Sequence, residues 1–388
     1  MRQVFVNGRI FAPTGFIADR TLLAEGGKIS ALLPAAVAPP KGTQIVDLAG
    51  RLLLPGFVDT QVNGGGGVLF NDEPTVAGIR AIGRAHARFG TTGFMPTLIS
   101  DDLAVVARAI KAVDAAISEG VPGVLGIHVE GPFLNPARKG VHEAGHFRRL
   151  DQEALALLTS LRHGVTLITL APELAGNDML DALVAGGAIL SAGHTDASFE
   201  DIERAKRHGL RGFTHLFNAM SPLGTRAPGV VGAALADDET YCGIIVDGKH
   251  VDPRTLKVAL RAKAHDRFML VTDAMPTVGT AASSFRLQGR TIRVTDGYCV
   301  DELGVLAGTA IDMNRTLRNA MSMLGLPATE AVRMASEFPA RFLGLDASHG
   351  RLEPGMRADL VIADKDYNVQ ETWIGGQRCD ISAQGATP

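Results

Sequence analysis

A single carboxylate ends an apolar segment in the first half of the chain. The segment GIHVEGPF at 126–133 places Glu130 directly before a Gly-Pro turn. A strand that ends in this way delivers its last side chain to the rim of a sheet, although a lone glutamate there is more often simply solvated. Later apolar segments also end on side chains that bind metal or move protons: His194, His215, His250 and Asp273. The repetition indicates one rim that carries reactive groups.

Three of these side chains suit zinc chemistry. Glu130, His194 and His215 supply one carboxylate and two imidazoles, a common catalytic zinc set that leaves the fourth position for water. Zinc lowers the pKa of that water toward ~7, which gives hydroxide at neutral pH. Taken singly, His194 could cap a helix and His215 could be a hydrogen-bonded core residue. Their joint occurrence at strand ends favours a metal site.

Asp273 is the candidate proton carrier. It lies in the segment LVTDA at 270–274 and ends the last apolar run of the series. A carboxylate beside a metal-bound water can take its proton and pass it to a leaving nitrogen, as the general base and then the general acid of a hydrolase. The alternative is an aspartate that caps a helix.

These side chains need a scaffold that brings distant segments to one rim. Short apolar runs alternate with amphipathic segments, which is typical of βα units on a parallel sheet. The apolar runs are 52–62, 92–98, 124–130, 166–170, 188–194, 212–218, 242–247 and 268–273. The helical segments include 76–89, 103–118, 152–161, 179–185, 199–208 and 253–264. Eight units predict an α/β fold, a (β/α)8 TIM-like barrel with its active site at the carboxyl ends of the strands. An open doubly wound sheet is the alternative, although no GxGxxG motif follows the first run.

The two ends of the chain differ from this middle. Residues 1–53 contain short β-like runs separated by Asn-Gly, Gly-Gly and Pro-Pro, and residues 349–388 are similar in kind. We therefore expect a small β-sandwich domain formed from both termini, with the barrel at 54–348 between them. After Asp273 the alternation gives way to a hairpin and two helical stretches, predicted at 285–294, 312–323 and 329–342.

Composition excludes several classes of protein. The 388 residues are 46% hydrophobic, which suits a globular core, and 38 basic residues nearly balance 41 acidic ones. No net field therefore attracts nucleic acid or an anionic membrane. Three widely spaced cysteines without a CxxC motif fit a reducing compartment. The amino terminus lacks the pattern of a secretory signal, and no stretch approaches the ~20 apolar residues of a membrane span. We expect a cytoplasmic protein with no nucleic-acid or membrane partner.

Several motifs together resemble the amidohydrolase superfamily and, within it, the N-acetylglucosamine-6-phosphate deacetylase family. They extend over nearly the whole chain and are LPGFVD at 54–59, HVEGPF at 128–133, SAGHT at 191–195, THLFNAM at 214–220, DGKH at 247–250 and VTDA at 271–274. The first is shared by many amidohydrolases. HVEGPF and HLFNAM are far more selective.

The resemblance assigns the substrate side of the site. It implies that His142 hydrogen-bonds the acetamide carbonyl and stabilises the developing oxyanion. Asn218 and the backbone of Ala219 look like sugar or phosphate contacts, and Arg226 and His250 resemble a phosphate clamp. From the sequence alone His142 and Arg226 are loop residues, which are commonly solvated. The family also implies a homodimer in which one phosphate-site residue comes from the neighbouring subunit.

One motif departs from the superfamily pattern. Many amidohydrolases carry His-x-His after the first strand for a second metal, whereas this chain has Gln61 and Asn63 at those vestigial second-metal positions. Neither amide is a good zinc ligand. We therefore expect one divalent metal ion per subunit, zinc, held by Glu130, His194 and His215.

The expected reaction is hydrolysis of N-acetyl-D-glucosamine 6-phosphate to D-glucosamine 6-phosphate and acetate, in amino-sugar catabolism and recycling. Zinc-bound hydroxide would attack the carbonyl carbon with Asp273 as general base and acid. One alternative is deacetylation of N-acetylgalactosamine 6-phosphate or another amidohydrolase reaction, such as cyclic-amide hydrolysis. The other is a metal-free amidohydrolase-like scaffold, which Gln61 and Asn63 would support and the intact set of candidate ligands opposes.

Overall fold

Eight parallel strands form a barrel in the computed structural model, which describes residues 2–12 and 14–380. Barrel strands 1 to 8 are Phe57–Val62, Thr91–Ile99, Gly126–Glu130, Val165–Leu170, Ile189–Ala192, Leu210–Phe213, Tyr241–Ile244 and Phe268–Leu270. Each strand pairs with the next one along the chain. A parallel bridge between Val62 and Ala274, just beyond strand 8, joins the two edges. The predicted (β/α)8 barrel is confirmed, and the alternative prediction of an open doubly wound sheet is wrong.

Ten α-helices lie within the described residues. Helices α1 to α10 are Val76–Ala87, Leu103–Ser118, Gln152–Leu158, Asn177–Ala185, Phe199–Arg207, Gly229–Ala236, Pro253–Ala262, Met313–Leu324, Ala328–Ala335 and Glu337–Phe342. Most bury one face, as in α7, where Leu256, Ala259 and Leu260 are buried. None of the helices in these residues has the length and apolar character needed to span a bilayer.

Two helical features differ from the predictions. Helix α6, with the sequence GVVGAALA, was not predicted, because it is apolar on nearly every side and lacks a helical period. The stretch 329–342 was predicted as one helix but is divided at Ser336 into α9 and α10. Pro339 has no N–H to donate to the turn before it, so a continuous helix there would lose a backbone hydrogen bond.

A second domain consists of two β-sheets. The four-stranded sheet contains Lys28–Pro34, Arg20–Glu25, Arg2–Val6 and Gln44–Asp47, in that spatial order. The six-stranded sheet contains Gln377–Arg378, Val369–Ile374, Leu360–Ala363, Leu52–Pro55, Arg9–Ala12 and Gly15–Ile17. Phe5 of one sheet packs edge-on against Trp373 of the other, with ring centroids 5.2 Å apart. The predicted additional β domain built from both ends of the chain is confirmed.

The chain passes from the small domain to the barrel at Gly56. The predicted run 52–62 is two strands, because Leu52–Pro55 pairs with Leu360–Ala363 in the six-stranded sheet while Phe57–Val62 pairs in the barrel. A Cβ atom on Gly56 would lie 2.0 Å from the Thr92 hydroxyl, so only glycine fits between the two sheets. The domain limits at 53/54 and 348/349 stay a prediction.

A four-stranded antiparallel sheet covers one side of the barrel mouth. This cap sheet comprises Ser284–Leu287, Arg290–Thr295, Tyr298–Val300 and Leu306–Thr309. Its first two strands form the predicted hairpin, and the other two were not predicted. Gln288, in the first turn, donates to the carbonyl oxygen of Ser100 (2.8 Å) and accepts from the backbone N–H of Glu143 (2.9 Å). The cap sheet therefore holds the loops after barrel strands 2 and 3.

A buried carboxylate ties the two edge strands of the barrel together. Asp59 in strand 1 accepts hydrogen bonds from the Thr272 hydroxyl (2.5 Å), the Thr272 N–H (3.3 Å) and the Gln61 N–H (3.2 Å). Burial raises the pKa of Asp59 to about 7. The contacts fix the backbone directly before Asp273.

We expect Thr272→Val to lower the free energy of unfolding by about 1.5–3 kcal/mol at pH 8, because a buried carboxylate loses a donor. Urea unfolding would measure the change. Thr372→Val is the matched control, since the Thr372 hydroxyl is buried without a hydrogen-bond partner among the described residues. Equal losses in both variants would contradict a special role of the Asp59 contact.

Candidate active site

The candidate reactive residues follow the carboxyl ends of four barrel strands. Glu130 is the last residue of strand 3, and His194, His215 and Asp273 lie two or three residues beyond strands 5, 6 and 8. The backbone φ angles of these last three are +48°, +35° and +51°. Left-handed conformations are uncommon for residues other than glycine and cluster at functional sites. At these positions the chain turns inward over the barrel mouth.

Three ligand atoms converge on one point. Oε1 of Glu130 lies 2.9 Å from Nε2 of His215 and 3.1 Å from Nε2 of His194, and the two nitrogens are 3.1 Å apart. Their side chains are between 3% and 7% exposed. One carboxylate oxygen and two imidazole nitrogens in this arrangement fit a divalent metal such as zinc.

The surroundings of His194 and Glu130 support that fit. Nδ1 of His194 lies 2.9 Å from the carbonyl oxygen of Arg138, so Nδ1 carries the proton and Nε2 presents its lone pair. Burial alone would raise the pKa of Glu130, but hydrogen bonds and charge from His194 and His215, in the state in which their Nε2 atoms are protonated, lower it well below its usual value. The carboxylate is therefore in its ligating, ionised form.

Asp273 faces the same cavity beside this set. Its Oδ1 accepts hydrogen bonds from the side-chain amides of Gln61 (3.1 Å) and Asn63 (2.7 Å). Burial and the nearby charge of Glu130 raise the pKa of Asp273 to about 6. A carboxyl group with a pKa close to neutrality can exchange a proton in either direction.

His142 lies against the candidate metal ligands with a defined tautomer. Its ring centroid is 4.3 Å from that of His194. Nδ1 of His142 accepts from the Ser100 backbone N–H (3.3 Å) and lies 2.8 Å from the Ser100 hydroxyl. Burial lowers the pKa of His142 well below its usual value, so the ring is neutral. Its single proton is therefore on Nε2, which makes Nε2 a hydrogen-bond donor.

These groups share one cavity of about 440 Å³, a size suited to a small organic ligand. Its lining includes Ile99, Glu130, Arg138, His142, His194, His215, Asn218, Ala219, His250, Asp273, Met275 and residues 304–306 and 308. His250 is oriented by Asp247, whose Oδ2 lies 2.6 Å from Nδ1. Asn218 donates to the carbonyl oxygen of His215 (3.0 Å). The candidate ligands, Asp273 and most candidate substrate contacts thus lie together.

Arg226 lies elsewhere. It is exposed in the loop before α6, does not line the cavity, and forms no ion pair with another described residue. Within one subunit, therefore, the structure does not bring Arg226 to His250.

Sequence reasoning missed three parts of the site. Ser100 lies one residue beyond barrel strand 2, so the strand-end pattern that identified Glu130 could have found it. Arg138 contributes its carbonyl oxygen to His194 and pairs its guanidinium with Asp196 at 2.8 Å. Residues 304–306 and 308 reach the cavity from the cap sheet, and no local signal marks them.

Known proteins resemble this chain over most of its length. The amidohydrolase family model matches residues 52–379. An N-acetylgalactosamine-6-phosphate deacetylase of Shewanella sp. (strain ANA-3) is 44% identical over 85% of this chain and 84% of its own length. An N-acetylglucosamine-6-phosphate deacetylase of Haemophilus influenzae is 33% identical over 97% of this chain and 99% of its own length.

A solved structure agrees with these relatives. The N-acetylglucosamine-6-phosphate deacetylase of Pasteurella multocida superposes with a TM-score of 0.94, at 36% identity, over 97% of this chain and 99% of its own. The matched region contains the barrel and the residues that converge at its mouth. The chain belongs to the amidohydrolase family.

Proposed function

We propose that this protein hydrolyses the acetamide of N-acetyl-D-glucosamine 6-phosphate to D-glucosamine 6-phosphate and acetate, as a step of amino-sugar catabolism in the cytoplasm. The observation that carries the proposal is the convergence of Glu130, His194 and His215 with Asp273 and His142 in one cavity. The names of the relatives from Haemophilus influenzae and Pasteurella multocida support the substrate.

One divalent ion per subunit, zinc, is the proposed cofactor. Glu130, His194 and His215 would hold it through Oε1 and the two Nε2 atoms. When bound, it supplies Lewis-acid activation of water and of the carbonyl group. Gln61 and Asn63 direct their amide nitrogens, which do not bind a metal, toward Asp273.

The protein residues divide the proton transfers between them. Asp273 accepts one proton from the attacking water and then donates it to the nitrogen of the breaking C–N bond, which yields the free amine. His142 donates its Nε2–H to the acetamide oxygen as negative charge develops there. The neutral state of His142 keeps this donor available while a cation binds beside it.

The phosphate end of the cavity involves a second subunit in this proposal. His250 lines the cavity with its ring oriented by Asp247. Arg226 is exposed outside its own cavity, which supports a contribution to the site of the neighbouring subunit in a homodimer. A guanidinium group matches a phosphate bidentately.

The C4 epimer is the second candidate substrate. The Shewanella relative, named for N-acetylgalactosamine 6-phosphate, has a higher identity (44%) than the Haemophilus relative (33%). This observation favours the galactosamine epimer, whereas the solved structure of the Pasteurella multocida enzyme, named for the glucosamine substrate, supports the glucosamine epimer with a TM-score of 0.94. A cyclic amide is a poorer candidate because it would not use Arg226 or His250. A metal-free scaffold would not require the candidate ligands and Asp273 to share a cavity.

Acetate release from three sugars tests the proposed function. We expect N-acetylglucosamine 6-phosphate to have the highest kcat/KM, and the unphosphorylated sugar to be at least about 100-fold poorer because charged contacts contribute about 1.5–3 kcal/mol each. A higher kcat/KM for N-acetylgalactosamine 6-phosphate would reverse the choice of epimer. Acetate release from none of the three would refute the proposed deacetylation.

Glu130 and Asp273 have separable roles. Glu130→Gln should lose zinc and turnover together, with zinc affinity reduced by more than about 100-fold, since the loss of a hydrogen-bond partner of a metal ligand can by itself reach that size. Asp273→Asn should retain zinc and lose about 10²–10⁴-fold in kcat. Metal analysis after dialysis and steady-state kinetics measure both. Retained zinc in Glu130→Gln, or near-normal turnover in Asp273→Asn, would contradict the assignment, as would two tightly held ions per wild-type subunit.

Mixed dimers test the contribution across subunits. A dimer of one Arg226→Ala subunit and one His250→Ala subunit contains one intact phosphate site if Arg226 acts across the interface. Such heterodimers, purified with two different tags, should have about half the wild-type activity per dimer. Activity no higher than that of the two homodimeric variants would mean that Arg226 and His250 of one subunit serve the same phosphate site, and would contradict a contribution across the interface.

A further inference from the structure

Two amides join the candidate metal ligand to the candidate proton carrier. Nε2 of Gln61 lies 3.1 Å from Oε2 of Glu130 and 3.1 Å from Oδ1 of Asp273. Nδ2 of Asn63 lies 2.7 Å from the same Oδ1. All four side chains are buried, with residue exposures of 0–8%.

The orientation of both amides follows from the carboxylates they contact. An ionised carboxylate only accepts hydrogen bonds, so the nitrogen of each amide must face it. The two N–H groups of Gln61 are thereby divided between Glu130 and Asp273. Asn63 donates to Asp273 alone.

The hydrogen bonds leave specific oxygens free. The Gln61 bond occupies Oε2 of Glu130, whereas Oε1 faces His194 and His215. The two amide bonds to Asp273 both end on Oδ1, which leaves Oδ2 for the reacting water. The hydrogen bonds to Oε2 of Glu130 and to Oδ1 of Asp273 thus fix the orientation of each carboxylate.

The backbone makes this arrangement rigid. The Asp273 N–H donates to the Gln61 carbonyl oxygen (3.1 Å), and the Asn63 N–H donates to that of Ala274 (2.9 Å). The Gln61 backbone N–H donates to the Asp59 carboxylate (3.2 Å). The side-chain hydrogen bonds of Gln61 and Asn63 to Asp273 therefore link residues whose backbones are already hydrogen-bonded to each other's segments.

We propose that Gln61 and Asn63 are positioning residues: Gln61 aligns Glu130 for the metal and Asp273 for proton transfer, and Asn63 aligns Asp273 only. They do more than mark a lost second metal site. A neutral donor meets both needs here, because a cationic side chain would compete with the metal for the charge of Glu130, and an apolar one would leave two buried oxygens unpaired. The catalytic half of the inference rests on the proposed deacetylation.

Zinc affinity and steady-state kinetics of two variants test the proposal. Gln61→Met keeps the length of the side chain and removes its hydrogen-bond donor. Asn63→Leu keeps the approximate size of the Asn63 side chain and likewise removes its donor. We expect Gln61→Met to weaken zinc binding about tenfold or more in competition with a chromophoric chelator, whereas Asn63→Leu leaves zinc affinity within about twofold. Both should lower kcat about 10–100-fold with little change in KM.

Gln3→Met is the matched control for the loss of a buried amide. Gln3 is 4% exposed in the small domain and donates to the Gly376 carbonyl oxygen (3.0 Å), far from the cavity. It should lower the thermal midpoint without changing zinc affinity or kcat. Comparing the thermal midpoints of the variants separates misfolding from a loss of positioning. If Gln61→Met does not fold, Gln61→Asn supplies a second variant whose side chain is shorter but still polar.

Several outcomes would overturn the proposal. Unchanged kcat in both variants would remove the positioning role, and equal zinc affinity in Gln61→Met and wild type would remove the contact to Glu130. A rise in KM alone would assign the amides to substrate binding instead. If the wild-type protein releases no acetate from phosphorylated sugars, the proposed function fails, while the zinc comparison still tests the role of Gln61.

Discussion

The buried carboxylate of Glu130 is the group on which the barrel mouth depends. An ionised carboxylate in a protein interior is costly unless each oxygen meets a donor or a cation. Its Oε1 faces His194 and His215, and its Oε2 faces Gln61. Satisfying this one charge therefore brings the ends of barrel strands 1, 3, 5 and 6 together. Asp273, three residues beyond strand 8, joins the group through Gln61.

The backbone leaves the ordinary strand conformation at three of the residues that converge near Glu130. His194, His215 and Asp273 have left-handed φ angles, which cost energy that the surrounding hydrogen bonds must offset. Neighbouring loops do so: the Thr195 N–H donates to the Ala219 carbonyl oxygen, and the Leu216 N–H to that of Gly243. A closed barrel supplies a rigid base for this strain. The reactive groups can consequently keep their positions before any ligand binds.

The walls of the cavity have a different origin from its floor. The floor consists of strand ends, whereas residues 304–306 and 308 of the cap sheet form a wall and Ser100 orients His142. Asp247 orients His250 near the opening. The candidate metal ligands and the residues that surround them are thus carried by separate elements.

Local sequence determined the barrel, because apolar runs and amphipathic segments alternate with periods that each segment sets by itself. It also predicted that Glu130, His194, His215 and Asp273 meet, since parallel strands of one barrel end at one rim. It missed the last two strands of the cap sheet, which depend on pairing with the predicted hairpin, and it missed the break at Ser336. Only the tertiary structure decided the hydrogen-bond partners, because Gln61 and Asn63 contact Asp273 across 212 and 210 residues of chain. The position of Arg226 outside the cavity of its own subunit likewise follows from packing, which no spacing in the sequence encodes.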